Sequence, residues 1–263
     1  MRNKIIAYYI SSRLHVALSL WAFCQLTALQ QGGRIPLSLQ LAIFCFGWAA
    51  YWYAHQVVPY YYKHNQFPVL RLFLTLGALL AGGILLRFQP YSIQLIFVVL
   101  GMISLCYAIP FGSSMGLRFI PRIKIFLIAV CWASFAAVGV YASTGSVTLM
   151  IVAKSILWVV LLTLPFDVRD MKKDDQKLKT IPQLLGLKKT RILGFGLALI
   201  IVFLTDQAVA ISNLQYAAYV VLILVLMCYL VMHPKRHSHF TSFWIEGIPL
   251  LWYGISIFSL IFY

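Results

Sequence analysis

Apolar residues in this chain come in runs of about 20, separated by short polar loops, rather than alternating with polar ones at a helix or strand period. A helix needs roughly 20 apolar residues to cross the hydrocarbon core of a bilayer. Inside lipid every backbone polar group must be bonded within the protein, which favours helices. Nine such runs fall near residues 14–30, 38–58, 68–86, 91–110, 124–142, 147–166, 191–210, 214–232 and 241–262. They take up most of the 263 residues and leave no room for a soluble domain. The expectation is one all-α membrane domain over 1–263, a bundle of about nine transmembrane helices whose site is built from helices and loops.

Composition supports this: the chain is 62% hydrophobic and 10% charged, with a mean hydropathy of +0.88. All but three of the 21 basic residues fall on one side of the predicted bundle. Arg2, Lys4 and Arg13 precede the first helix, and Lys63 and Arg71 flank the second loop. Arg118, Arg122 and Lys124 occupy the fourth loop, eight more the sixth, and Lys235 and Arg236 the eighth. The opposite side has Arg34 and Arg87, and Lys154 lies within a helix, where it is expected to snorkel outward. This asymmetry places the N-terminus in the cytoplasm, with a bacterial-type inner membrane as the expected location. The net charge of +15 is therefore a topology and headgroup signal, and the partner is the bilayer, not nucleic acid. The N-terminus is basic and then apolar, and reads as an anchoring first helix. The five cysteines fall in five different predicted helices with no C-x-x-C pair, as packing residues do.

One stretch departs from this pattern. Residues 167–182, DVRDMKKDDQKLKTIP, hold four of the six acidic residues: Asp167, Asp170, Asp174 and Asp175. Residues 1–166 have none, and the other two are Asp206 and Glu246. On a continuing helix, spacings of three and four bring Asp167, Asp170 and Asp174 to one face, while Asp175 leaves it. Convergent carboxylates suit a hard divalent cation, above all Mg²⁺ held together with a phosphate-bearing ligand. Eight cations lie in the sixth loop as a whole, through Arg191, among them Arg169, Lys172 and Lys173, so a polyanionic headgroup would account for both signs. A salt-bridged loop on a lipid surface is the plainer reading of the same charges. Pro165 lacks an N–H and can bend the helix end that carries Asp167.

These residues resemble the second aspartate motif of the UbiA superfamily of intramembrane prenyltransferases, approximately D-x-x-D-x-x-x-D followed by G-x-x-T-L-P and a later Gly. Asp167, Asp170 and Asp174 match the acids, Thr180 and Pro182 the T-x-P, and Gly186 the later glycine. Leu178 stands near the position of the first glycine. The fourth loop, with Arg118, Arg122 and Lys124, is similar to the family's basic loop after helix four. The resemblance implies a UbiA-type helical bundle holding an isoprenyl diphosphate through Mg²⁺ on Asp167, Asp170 and Asp174. It also implies Arg118, Arg122, Lys124 and Lys173 near the diphosphate, and prenyl transfer to a lipophilic acceptor, commonly an aromatic ring or quinone precursor.

The family's first motif, N-D-x-x-D-x-x-x-D, has no counterpart here. The corresponding stretch, YAHQVVPYYYKHNQFP over 53–68, contains no acid. His55, Gln56 and His64 are its candidates for direct contact with the diphosphate, imidazolium supplying charge in place of a second metal. Two alternatives stay open: a terpene cyclase of the same type, in which the allylic cation closes on its own double bonds, and a non-catalytic lipid-diphosphate binding protein. Glu246, expected inside the ninth helix, is either a site residue or a partner of Lys235 or Arg236. Asp206 is expected to be solvated.

Overall fold

The structure is a computed structural model describing residues 9–66, 68–109, 116–117, 120–209, 211–234 and 240–262. Among these residues the regular structure is entirely helical. The helices are α1 (Leu14–Leu29), α2 (Leu37–Trp52), α3 (Val58–His64), α4 (Val69–Leu86), α5 (Tyr91–Ala108) and α6 (Ile123–Thr144). They continue with α7 (Leu149–Asp170), α8 (Ile181–Ala208), α9 (Ser212–Val231) and α10 (Ile248–Phe262). A π-helical turn, Tyr53–Val57, joins α2 to α3, and a second, Phe240–Ile245, precedes α10. A helix covers each apolar run, and seven described helices are long and apolar enough to cross a membrane. α1 is shorter, and α8 extends its run back to Ile181 through Lys188, Lys189 and Arg191. This is an integral membrane protein.

Local chemistry sets the helix ends. Pro36, Pro68 and Pro90 stand just before α2, α4 and α5, where a missing N–H removes no helical bond. α6 stops at Gly145, whose φ of +78° suits glycine and whose N–H bonds the Tyr141 carbonyl at 2.8 Å. α3 stops at Asn65 in the left-handed region.

The chain forms two compact units, one from 1–21 and 36–120, the other from 22–35 and 121–263. In the first, α2 packs against α4. A Cβ on Gly82 of α4 would lie 2.8 Å from the Phe46 ring, so glycine admits that ring, which then meets Phe97 edge-on at 5.0 Å. The outward residues are as apolar as the core, with Leu70 and Phe73 each 74% exposed. That is the expected surface of a bundle whose solvent is lipid.

In the second unit α7 packs against both α6 and α8, and its Trp158 meets Trp252 of α10 at 4.3 Å. Pro165 sits inside α7 and leaves the Leu161 carbonyl without its helical donor. The Tyr229 hydroxyl of α9 supplies the missing bond, donating to that carbonyl at 2.6 Å. Gly194 of α8 makes room for the tyrosine, since a Cβ there would lie 2.0 Å from its Cε1. The helix turn carrying Asp167 is thus fixed by three elements. Lys154 does not snorkel: it is 2% exposed and donates to Gln30 Oε1 at 2.7 Å. Gln30 follows the last turn of α1, where helix carbonyls concentrate negative charge that suits a buried ammonium.

Candidate functional site: an acidic turn closed by its own cations

α7 ends at Asp170, and the backbone makes one further turn, with Lys173 and Asp174 N–H both bonding the Asp170 carbonyl at 2.8 Å. Asp175 then leaves the cluster and caps the short helix Gln176–Leu178, its Oδ1 accepting from Lys177 N–H at 2.9 Å. The exposed Lys179 turns into the left-handed region at φ +47°, and α8 starts after Thr180. Gln183 gathers the loop: its Oε1 accepts from Thr180 N–H at 2.9 Å, and its Nε2 reaches the Met171 and Asp174 carbonyls at 3.3 and 3.2 Å. Gly186 follows with φ +74°, a break in α8 open to glycine.

The carboxylates divide between two cations. Lys124, in the first turn of α6, places Nζ 3.1 Å from Asp167 Oδ1 and 3.0 Å from Asp174 Oδ2. Asp170 turns instead to Arg169, in a bidentate pair with Nε to Oδ1 at 2.8 Å and Nη2 to Oδ2 at 2.5 Å. Arg169 Nη1 also donates to Thr241 Oγ1 and Ser242 Oγ, both at 2.8 Å, tying the acidic turn to the π-helical turn before α10. Asp167 is the most enclosed of the three, 4% exposed, and lies within electrostatic reach of Asp174 and Asp170. Among the described residues no three His, Cys, Asp or Glu side chains form a metal-holding group. Three carboxylates on one face have become a pair sharing an ammonium and a third held by guanidinium.

The basic loop meets this turn. Arg122, exposed and left-handed at φ +68°, donates its N–H to the Leu178 carbonyl at 3.0 Å. Leu178 is buried, so the departure from glycine there serves packing. Lys173 is exposed, and Arg118 lies outside the described residues.

The segment 53–66 belongs to the other unit and is used differently. Gln56 Nε2 donates to the Ser11 carbonyl at 3.0 Å, and Arg71 Nη1 donates to Gln56 O and Oε1 at 3.0 and 3.3 Å. Arg71 also covers the Tyr60 ring, at 4.8 Å. His55 lies parallel to Tyr51 at 6.3 Å, and the exposed His64 packs on Tyr60 at 4.4 Å. Gln56 is therefore a tie between backbone segments. Glu246 stands between the π-helical turn and α10, not inside a helix, with its N–H on the Thr241 carbonyl at 3.0 Å; Lys235 and Arg236 lie outside the described residues. Asp206 accepts from the Tyr219 hydroxyl.

The sequence reading missed the Arg169 fork and the Gln183 tie. Gln183 carried a signal, the T-x-x-Q spacing of a helix-start box. Thr241 and Ser242 carried none, because about 70 residues separate them from Arg169.

No protein-family model and no curated protein matches the sequence. Solved structures match over almost the whole chain. A UbiA homolog from Aeropyrum pernix K1, in its apo form, superimposes with a TM-score of 0.70 at 14% identity, covering 94% of this chain and 97% of that one. A UbiA homolog from Archaeoglobus fulgidus bound to Cd²⁺ gives 0.64 at 12% identity, covering 95% and 99%. The A. fulgidus homolog bound to GPP and Mg²⁺ gives 0.58 at 13% identity, again covering 95% and 99%. The chain has the fold of these UbiA homologs.

Proposed function

We propose that this protein is an intramembrane prenyltransferase, binding an isoprenyl diphosphate with Mg²⁺ at the acidic turn and transferring the prenyl group to a lipophilic acceptor. One observation carries the reading: Asp167 and Asp174, oxygen donors on either side of a sequence turn, aim at a single cation position, where Lys124 Nζ stands 3.1 and 3.0 Å away. Hard carboxylate oxygens converging on a positive charge are the donor set that Mg²⁺ prefers when it also carries phosphate. Solved relatives of this fold bound to GPP or DMAPP with Mg²⁺ support the same ligand class.

In this reading Asp167 and Asp174 hold the metal, and Asp170 joins them when its partner is drawn away. When bound, Mg²⁺ supplies positive charge that offsets the charge developing on the departing pyrophosphate. Lys124, Arg122 and Lys173 supply further charge to the phosphate oxygens, with Arg118 on the same loop as Arg122. In the other unit His55 and His64 are the proposed phosphate contacts, while the Gln56 side chain is bonded to the Ser11 carbonyl and to Arg71. The chain acts as one membrane domain with its N-terminus and acidic turn on the cytoplasmic side.

Purified protein is incubated with isoprenyl diphosphates of several lengths and Mg²⁺, with and without a lipid extract. Products are read by mass spectrometry alongside released pyrophosphate. Prenyl transfer predicts pyrophosphate and a prenylated product only when extract is present. Cyclised hydrocarbon without extract identifies a cyclase, and no pyrophosphate across the panel identifies a binding protein.

A further inference from the structure

The acidic turn is countered from within by two cations, and the manner of it points to how the site works. Three carboxylates face two cations, and each cation sits where a ligand's charge would sit. The Lys124 ammonium stands between Asp167 and Asp174, the position a metal would take. The Arg169 fork covers both oxygens of Asp170. A lone divalent cation entering this turn must push an ammonium off two carboxylates, and the displaced charge then remains close to the metal, where like charges repel. A metal arriving with a diphosphate meets no such opposition, because phosphate oxygens are acceptors for the groups displaced: an ammonium, and a guanidinium whose fork matches phosphate as well as carboxylate. Arg169 is suited to this exchange because Thr241 and Ser242 hold its Nη1 whichever anion takes the other edge.

We propose that Lys124 and Arg169 are exchangeable internal counter-cations. They occupy the motif carboxylates in the resting protein and pass to the diphosphate when metal and diphosphate enter together, so that each ligand binds tightly only in the presence of the other. This rests on the functional reading above, and it gives Arg169 a diphosphate-binding role beyond that of Lys124. No covalent bond changes; three ion pairs are traded for metal–carboxylate and cation–phosphate contacts. Because coupling between two ligands is reciprocal, the factor by which diphosphate tightens metal equals the factor by which metal tightens diphosphate.

The test uses the full chain in lipid nanodiscs, Mn²⁺ as a paramagnetic probe that accepts the same oxygen ligands, and geranyl diphosphate. Free Mn²⁺ is followed by its paramagnetic resonance signal against protein-free nanodiscs at the same diphosphate concentration, because the diphosphate also binds the ion in solution. Wild type is expected to bind Mn²⁺ alone weakly and at least about 20-fold more tightly with geranyl diphosphate. Lys124→Met is expected to bind Mn²⁺ alone at least about fivefold more tightly than wild type, with the gain from diphosphate falling below about threefold. Lys124→Arg, which keeps the charge, should remain as weak as wild type for Mn²⁺ alone. Should Lys124→Met fail to fold, Arg169→Gln carries the same expected direction. Wild type showing the coupling while both neutral variants bind Mn²⁺ alone no more tightly overturns the exchange and leaves the prenyltransferase reading standing. Wild type binding neither probe overturns both.

Discussion

Two polar segments of this protein, 167–183 and 53–66, contain similar numbers of side chains able to meet a phosphate, but they spend them in opposite ways. In the acidic turn the charges meet one another: Lys124 on Asp167 and Asp174, Arg169 on Asp170, with the backbone held separately by Gln183. In the π-helical segment Gln56 and Arg71 bond backbone carbonyls and each other, and the imidazoles lie against tyrosine rings. An ion pair can exchange its partner for a ligand's charge at little net loss, whereas a side chain bonded to a backbone carbonyl must leave that carbonyl unpaired to serve a ligand. A polar cluster is thus poised for binding when its bonds run between charged side chains rather than to the backbone.

Substitutions in the two segments should differ in size accordingly. The largest effect is expected at Asp167→Asn. Asp167→Asn takes a charged oxygen donor from the cation position, so Mg²⁺-dependent binding of geranyl diphosphate should fall by about 100-fold in a calorimetric titration. A fall below threefold would reduce the turn to a diffuse charge patch.

Next comes Tyr229→Phe, which touches no ligand but removes the donor to the Leu161 carbonyl left by Pro165. Leaving a buried carbonyl unpaired costs about 1–3 kcal/mol. Thermal unfolding should move down accordingly, with weakened diphosphate binding, since the same turn positions Asp167. An unchanged melting temperature would show that the carbonyl finds another donor.

At the other segment, His55→Ala should weaken diphosphate binding only about three- to fivefold, the scale of one charge-assisted contact after screening. An effect as large as that of Asp167→Asn would erase the contrast between the two segments. The smallest effect belongs to Asp175→Asn, which keeps an oxygen to cap Gln176–Leu178, so binding should change less than about twofold.

The apolar runs that gave the helices also hid their faces. In a bundle surrounded by lipid, the exposed Phe73 of α4 and the buried Phe97 of α5 are the same residue type. No periodicity could therefore reveal which helices touch. The acidic turn was legible because carboxylates are rare in such a chain and their spacing survives on a helix end. Their partners were less so. Lys124 was visible as a loop cation, but its place between Asp167 and Asp174 depends on α6 meeting the turn, with Arg122 N–H on the Leu178 carbonyl. Lys154 was misread because the sequence cannot show Gln30 waiting at the end of α1. Pro165 signalled a carbonyl without its helical donor, but not Tyr229 or the space at Gly194 that lets the ring in.

Whether a divalent cation carries the ligand to the acidic turn is decided by a calorimetric titration of the wild-type protein in nanodiscs with geranyl diphosphate, once with Mg²⁺ and once with a chelator. If the acidic turn holds the ligand through a divalent cation, Mg²⁺ should tighten binding by at least about 20-fold. Equal affinity in the two titrations, or no binding in either, would mean that the acidic turn does not hold the ligand through a metal.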